Sequence, residues 1–149
     1  MKCGGRTPLN IFEKLMKQTK SRTIKDSFTT KIKKVSSCLE CQNELVKTTD
    51  FKSFLVTAGK TVAYQLNALF VENILNAKCS KCVSESIVNK GFLMKAPDRL
   101  VLTARKGQKK EVRLEFSEGL MIQGIKYKLK TLITSTKGEY SIMMKTREK

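Results

Sequence analysis

The feature that most constrains this chain is a pair of cysteine couplets with identical spacing. Cys38 and Cys41 form the first couplet, and Cys79 and Cys82 form the second. A gap of two residues lets both sulfurs of one couplet turn toward a single ion, and two couplets supply the four thiolates of a tetrahedral zinc site. Because such a site leaves no open position for a substrate, the couplets predict a structural zinc ion rather than a catalytic one.

Two other interpretations of these cysteines stay open: two disulfides, or four unrelated buried thiols. Disulfides are typical of oxidising compartments. The N-terminal residues lack the long apolar segment of a secretory signal peptide, and no apolar run is long enough to cross a bilayer. We therefore expect a cytoplasmic or nuclear protein that has no membrane partner and whose reduced cysteines bind zinc.

The fifth cysteine and the absence of histidine both bear on catalysis. Cys3 lies in residues 1–10, which we expect to form a flexible lead, and a nucleophilic role would require a nearby base to generate its thiolate. The sequence contains no histidine. It therefore offers neither the usual general base near neutral pH nor an imidazole ligand for zinc. We expect Cys3 to be a free surface thiol.

The charge balance limits the possible partners. The 149 residues include 30 Lys and Arg against 13 Asp and Glu, which gives a formal net charge of +17. Such an excess attracts nucleic acids and acidic proteins, although basic residues spread over the whole length also fit a solvated, lysine-rich surface. The length and the apolar fraction of 40% suit one folded domain, over residues 1–149, with a sizeable core.

The apolar pattern predicts few helices. Pro8 is a plausible helix start, and Asn10 is a candidate cap for a short helix over residues 11–18. The clearest helix covers residues 61–75, where an apolar stripe recurs at helical spacing. The stripe consists of Val62, Leu66, Leu69, Phe70 and Ile74.

The rest of the chain is predicted to be mainly β. Residues 29–35 and 44–49 should form a hairpin that presents the first couplet, and residues 50–56 should form a strand with Phe51 and Phe54 in the core. Residues 83–94 should extend from the second couplet. A meander is then predicted from strands near 99–103, 112–116, 125–130 and 140–144, with turns at 97–98, 107–110 and 137–138.

The order of these elements, taken with the couplets, resembles the second half of the catalytic domain of ubiquitin-specific proteases, over residues 8–145. In that family a hairpin ending in C-x-x-C leads to an apolar strand, a helix and a second C-x-x-C. A proline-led strand, a Y-x-L strand and a Gly-His-Tyr hairpin follow. The matching segments here are 28–41, Phe51-Lys52-Ser53-Phe54-Leu55, 61–74, 95–102, Tyr127-Lys128-Leu129 and Gly138-Glu139-Tyr140.

The resemblance implies an α+β, mostly β fold. Antiparallel Fingers hairpins would hold the four-cysteine zinc site over residues 24–94, and a palm-like β meander would cover residues 95–149, as part of a papain-like cysteine protease fold. The sequence also departs from the pattern of an active enzyme of that family. Glu139 stands where the family has its catalytic histidine, and Cys3 does not match the family's cysteine box.

Three functions follow from these observations. The first is a catalytically incomplete ubiquitin-specific-protease-like module that binds ubiquitin or an acidic partner protein. The second is a basic, zinc-ribbon-like protein that binds nucleic acid non-specifically through lysine contacts to phosphates; an aromatic fraction of 7% without tryptophan gives no support to sequence-specific recognition. The third is a fragment of an active deubiquitinase whose cysteine box and histidine lie on another chain.

Overall fold

The computed structural model describes residues 7–57, 60–104, 119–136 and 139–144; the side chains of residues 134–136, 139, 140 and 144 are not described. Helices α1, α2 and α3 cover Pro8–Gln18, Arg22–Ser27 and Val62–Asn67, and a 3-10 turn covers Ala68–Phe70. The strands are β1 Thr30–Cys38, β2 Glu44–Phe51, β3 Phe54–Val56, β4 Asn73–Asn76, β5 Ser86–Lys95, β6 Leu102–Ala104, β7 Leu120–Ile122, β8 Ile125–Tyr127, β9 Thr131–Thr136 and β10 Glu139–Met144. The described part is thus mostly β with few helices, as the sequence predicted.

The start of each helix is fixed by a hydroxyl cap. Thr7 accepts a hydrogen bond from the backbone N–H of Asn10, and Ser21 and Thr61 cap α2 and α3 in the same way. Pro8 begins α1 as predicted, because proline suits the first helical position. The cap is therefore Thr7, and the prediction of Asn10 as the cap was wrong.

The largest unit is a four-stranded sheet in the order β2-β1-β5-β4, and each neighbouring pair in it is antiparallel. The predicted hairpin over residues 29–35 and 44–49 is confirmed by β1 and β2. The β1–β2 turn carries the first couplet, and the connection from β4 to β5 carries the second. Since β5 runs antiparallel to β1 with Ile87 opposite Cys38, both couplets lie at the same end of the sheet.

The helix predicted for residues 61–75 is shorter in the structure. Helix α3 ends at Asn67, and the chain passes through the 3-10 turn into β4. Ile74, which the helical stripe included, instead pairs with Val88 of β5 and is 71% exposed. Pairing with β5 satisfies the backbone of this segment, whose asparagines are weak helix formers.

The hydrophobic core lies where the 3-10 turn covers one face of the sheet and α3 packs against β7. Its buried residues are Ile32, Val56, Val62, Leu66, Phe70 and Ile122. Phe51 and Phe54 pack against this core, as predicted, with their ring centroids 5.3 Å apart. They belong to different strands, however, because the single strand expected over residues 50–56 is interrupted between β2 and β3. Gly91 of β5 allows the 3-10 turn to lie close to the sheet, since a Cβ at that position would overlap the carbonyl oxygen of Leu69.

The remaining described strands form three two-stranded pairs. The β7–β8 and β9–β10 pairs are antiparallel hairpins, whereas β3 pairs in parallel with β6. The expected meander over residues 95–149 is thus only partly observed, because β6 takes its partner from before the second couplet. The strand at 112–116 and the turns at 107–110 and 137–138 lie outside the described residues. In the described part, no helix has the length and apolarity that a bilayer span requires.

Candidate metal centre

The four couplet cysteines converge at one end of the sheet. Their Sγ atoms all lie within 4.8 Å of one another. The Sγ atom of Cys38 is 3.4 Å from that of Cys82, and the Sγ atom of Cys41 is 3.6 Å from that of Cys79. Each short distance joins one couplet to the other, so the cluster connects the β1–β2 turn to the β4–β5 connection.

These distances decide between zinc and disulfides. A disulfide requires an S–S distance of about 2.05 Å, and all four cysteines are free. Four sulfurs at about 2.3 Å from a tetrahedral zinc lie about 3.8 Å from one another, which matches the observed spacing. Cys38 and Cys79 are buried, while Cys41 and Cys82 are exposed. The cluster therefore supports the predicted structural zinc, and Cys38, Cys41, Cys79 and Cys82 are the residues that could hold it.

The two couplets have the same backbone hydrogen bonds. In each, the N–H of the first cysteine donates to the carbonyl oxygen five residues later: Cys38 to Asn43 at 3.0 Å, and Cys79 to Ser84 at 2.7 Å. The first cysteine's carbonyl oxygen in turn accepts from the residue that follows the second cysteine, at 3.0 Å and 3.1 Å. The repeated spacing in sequence thus corresponds to a repeated structure.

The residue after each couplet has a left-handed backbone conformation. Gln42 has a φ of 56°, and Val83 has a φ of 62°. This conformation turns the chain back, so that the N–H of Gln42 or Val83 reaches the carbonyl oxygen of the first cysteine of its couplet. It is costly for a β-branched residue such as Val83, because its Cβ substituents crowd the backbone.

The thiols of the cluster differ in acidity. The backbone N–H groups of Lys81 and Cys82 lower the pKa of Cys79 from 9.0 to about 6, and the N–H of Cys41 lowers the pKa of Cys38. The N–H of Ser84 favours the Cys82 thiolate, but the neighbouring sulfurs and the partial desolvation of this exposed residue outweigh it and raise the pKa of Cys82 to about 12. Four adjacent thiolates repel one another, and a divalent cation removes that obstacle.

Two further residues that the sequence analysis discussed, Glu139 and Cys3, are not seen in this cluster. Glu139 is the first residue of β10, and its backbone pairs with Thr136 of β9; its side chain is not described. Cys3 lies outside the described residues.

A second feature was not indicated by the sequence patterns. The face of the sheet that points away from the core carries a shallow groove with a volume of about 480 Å³. We call this the groove face, and it is lined by Lys33, Val35, Ser37, Glu44, Glu72, Val88, Lys90, Phe92 and Met94. Alternation along β1 and β5 places all of these residues except Glu44 and Glu72 on one side, but their contiguity depends on the register of the strands, which only the structure gives.

The groove face has exposed apolar side chains at one end and is balanced in charge. Phe92 is 42% exposed and Met94 is 58% exposed, and the ammonium of Lys90 lies 5.6 Å from the ring centroid of Phe92. Two lysines and two glutamates complete the charged part of the lining. The chain's large positive excess is therefore located elsewhere on the molecule.

Comparisons with known proteins agree with this architecture. No family model matches the chain, and no curated protein matches it. Among solved structures it is similar to the SAGA DUB module Ubp8/Sgf11/Sus1/Sgf73 bound to monoubiquitin, with a TM-score of 0.60 and 16% identity over 90% of this chain and 37% of that chain.

Two further structures give the same result. A yeast SAGA DUB module with an Sgf73 mutant has a TM-score of 0.62 at 15% identity, over 93% of this chain and 37% of that chain. A module with a shortened Sgf11 that lacks its ZnF has a TM-score of 0.63 at 15% identity, over 94% of this chain and 42% of that chain. The chain thus spans less than half the length of the chains it matches. At these identities the likeness establishes the fold, and it supports the ubiquitin-specific-protease-like architecture that the sequence implied.

Proposed function

We propose that this chain is a catalytically incomplete ubiquitin-specific-protease-like module that binds ubiquitin or a partner protein. The observation that carries the proposal is the fold likeness to a DUB module, one structure of which is bound to monoubiquitin. In this proposal the zinc joins the β1–β2 turn to the β4–β5 connection, and it so keeps the sheet that carries the binding face rigid. In this proposal residues 1–149 form a single domain in the cytoplasm or nucleus, with a partial papain-like fold.

The groove face is the surface that we assign to the partner protein. Exposed Phe92 and Met94 supply the apolar area on which protein interfaces depend. Lys33 and Lys90 are offset in charge by Glu44 and Glu72. A near-neutral partner can therefore bind here without meeting the net charge of +17, which would otherwise argue against ubiquitin.

The proposal includes the absence of hydrolytic activity by this chain alone. Its sequence contains no histidine, and an ionised carboxylate such as that of Glu139 is a poor substitute for an imidazole base. We expect no turnover of a fluorogenic substrate attached to the ubiquitin C-terminus. Turnover that Cys3→Ala abolishes would contradict this part of the proposal and favour an active deubiquitinase.

The binding part is tested by amide NMR of the zinc-loaded chain during titration with ubiquitin. We expect shifts at Val35, Val88 and Phe92 of the groove face. Phe92→Ala should weaken binding by about tenfold or more, because exposed aromatic residues dominate protein interfaces. Tyr64→Ala, which removes an exposed aromatic of α3, is the matched control and should leave the affinity unchanged. The absence of amide shifts during the titration, or equal effects of both variants on the affinity, would contradict the proposal that ubiquitin is the partner.

A further inference from the structure

The core-side face of the sheet contains a pair of like charges at its centre. Lys34 of β1 lies directly opposite Lys47 of β2. Directly opposed residues of an antiparallel pair lie on the same face with Cβ atoms about 4.5–5.5 Å apart, and like charges in this position destabilise a sheet. The fold itself therefore gains nothing from having two lysines here.

Nothing in the described part of the chain compensates for this pair. Two other lysines of the sheet have carboxylate partners, since Lys31 lies 3.9 Å from Asp50 and Lys95 lies 3.5 Å from Asp26. No described carboxylate lies within 4.0 Å of the ammonium of Lys34 or Lys47. On its other side, Lys34 faces Gly91, which has no side chain. A local conflict of this kind is expected where a residue serves binding rather than folding.

The next row of the same face adds a polar donor and an apolar side chain. Ser36 lies opposite both Leu45 and Asn89. Its hydroxyl lies 3.2 Å from Oδ1 of Asn89 and donates to it, so the amide nitrogen of Asn89 offers further hydrogen bonds. Leu45 is 68% exposed. We call the surface formed by Lys34, Lys47, Asn89 and Leu45 the lysine face.

We propose that the lysine face binds an acidic segment of a partner protein, in which Asp or Glu residues lie next to aliphatic ones. The two ammonium groups and the Asn89 amide match carboxylates, and Leu45 matches an aliphatic side chain. The lysine face contains no aromatic ring on which a base would stack, and so it favours a protein segment over single-stranded nucleic acid. This surface lies on the opposite side of the sheet from the groove face, and the inference goes beyond the function proposed above.

The first test is the binding of a synthetic peptide made of alternating glutamate and leucine pairs, with the zinc-loaded full chain near physiological salt. Lys47→Glu should weaken binding by about tenfold or more, because it replaces one of the donors with a carboxylate. Lys20→Glu, at an exposed position between α1 and α2, changes the net charge equally and should have a much smaller effect. A peptide with glutamine in place of glutamate should bind far more weakly than the acidic one.

The second readout is the stability of the same variants. Lys47→Glu places a carboxylate opposite Lys34, so we expect its Tm to rise by about 1–4 °C, even as peptide binding is lost. A gain in stability together with a loss of binding cannot be explained by a purely structural role for Lys47.

Several outcomes would overturn the inference. The first two are no binding of the acidic peptide, and equal losses of peptide binding for Lys47→Glu and Lys20→Glu. The others are a lower Tm for Lys47→Glu, and a loss of duplex DNA binding by Lys47→Glu without a loss of peptide binding. Ubiquitin titration of Lys47→Glu separates the two proposals. Unchanged shifts on the groove face accompanied by lost peptide binding would show that the lysine face acts independently.

Discussion

At the scale of single residues, the two couplets show how a metal site imposes its own backbone geometry. Gln42 and Val83 occupy equivalent positions and both have positive φ values. Neither residue type favours that conformation, and for a β-branched valine it is a strained one. The strain persists because each turn closes the couplet before it, through a hydrogen bond from Gln42 or Val83 to the carbonyl oxygen of the first cysteine. The C-x-x-C spacing predicted that the four cysteines would converge, but it could not predict that the residue after each couplet would have a strained backbone.

The strain at Val83 leads to a prediction about stability. Val83→Gly should stabilise the zinc-loaded protein by about 1 kcal/mol. Glycine adopts a positive φ without strain, and the strain relieved exceeds the entropic cost of fixing a glycine. Gln42→Gly should give a smaller gain, since an unbranched side chain is less strained there. Chemical denaturation of the two variants measures the difference. Destabilisation by Val83→Gly would show that its side chain, and not its backbone, is what matters.

The cysteines divide into two classes with different expected effects. Cys38→Ser or Cys79→Ser should unfold the end of the sheet or the whole domain, because zinc sites of this type contribute about 10 kcal/mol or more to folding, comparable with the whole net stability of a domain. Cys3→Ser should leave the stability unchanged. Circular dichroism and thermal melts measure both, and similar losses from the two classes would contradict the assignment of ligands.

At the scale of elements, the prediction succeeded where side-chain pattern and backbone pairing agree. The β1–β2 hairpin and the residues Val62, Leu66 and Phe70 of the core follow directly from local periodicity. The prediction failed at Ile74. Its spacing continued the apolar stripe of the helix, but its backbone pairs with β5 in the structure. Long-range pairing of this kind leaves no local signal, and for the same reason the sequence did not reveal the groove face.

The crossing of the 3-10 turn over the sheet gives a prediction at this scale. Gly91→Ala should destabilise the protein by about 1–3 kcal/mol or more, because the new methyl group would overlap the backbone carbonyl oxygen of Leu69. Gly124→Ala is the control: nothing lies within 4 Å of its added Cβ, so only the cost of its positive φ applies. Denaturation midpoints compare the two. A smaller loss from Gly91→Ala than from Gly124→Ala would argue against the close packing described.

At the scale of the whole molecule, the distribution of charge separates two surfaces of one sheet. The groove face is balanced in charge, whereas the lysine face contributes to the excess of 30 basic over 13 acidic residues. Composition alone pointed to a polyanionic partner, because it gives the sum of the charges and not their location. Strand register supplies the location, and with it the basis for proposing one near-neutral partner and one acidic partner on different faces.

The acidity of the cluster predicts how the molecule responds to pH. A group whose pKa is lowered by folding contributes stability above its unfolded pKa and loses it as the pH falls through the folded value. For Cys79 the pKa falls from 9.0 to about 6, and bound zinc lowers it further. We expect zinc to be retained at neutral pH and released only below about pH 6, as followed with a chromogenic chelator. Release above neutral pH would contradict this description of the cluster.

The claim on which the remaining ones depend is that a four-thiolate zinc site fastens this ubiquitin-specific-protease-like scaffold. Native mass spectrometry of the purified chain, before and after treatment with a strong chelator, tests it most directly. We expect about one zinc per chain, four cysteines that react with alkylating reagent only after the metal is removed, and loss of the fold on removal. A chain that is folded without metal, or whose four cysteines are oxidised to two disulfides, would contradict the claim.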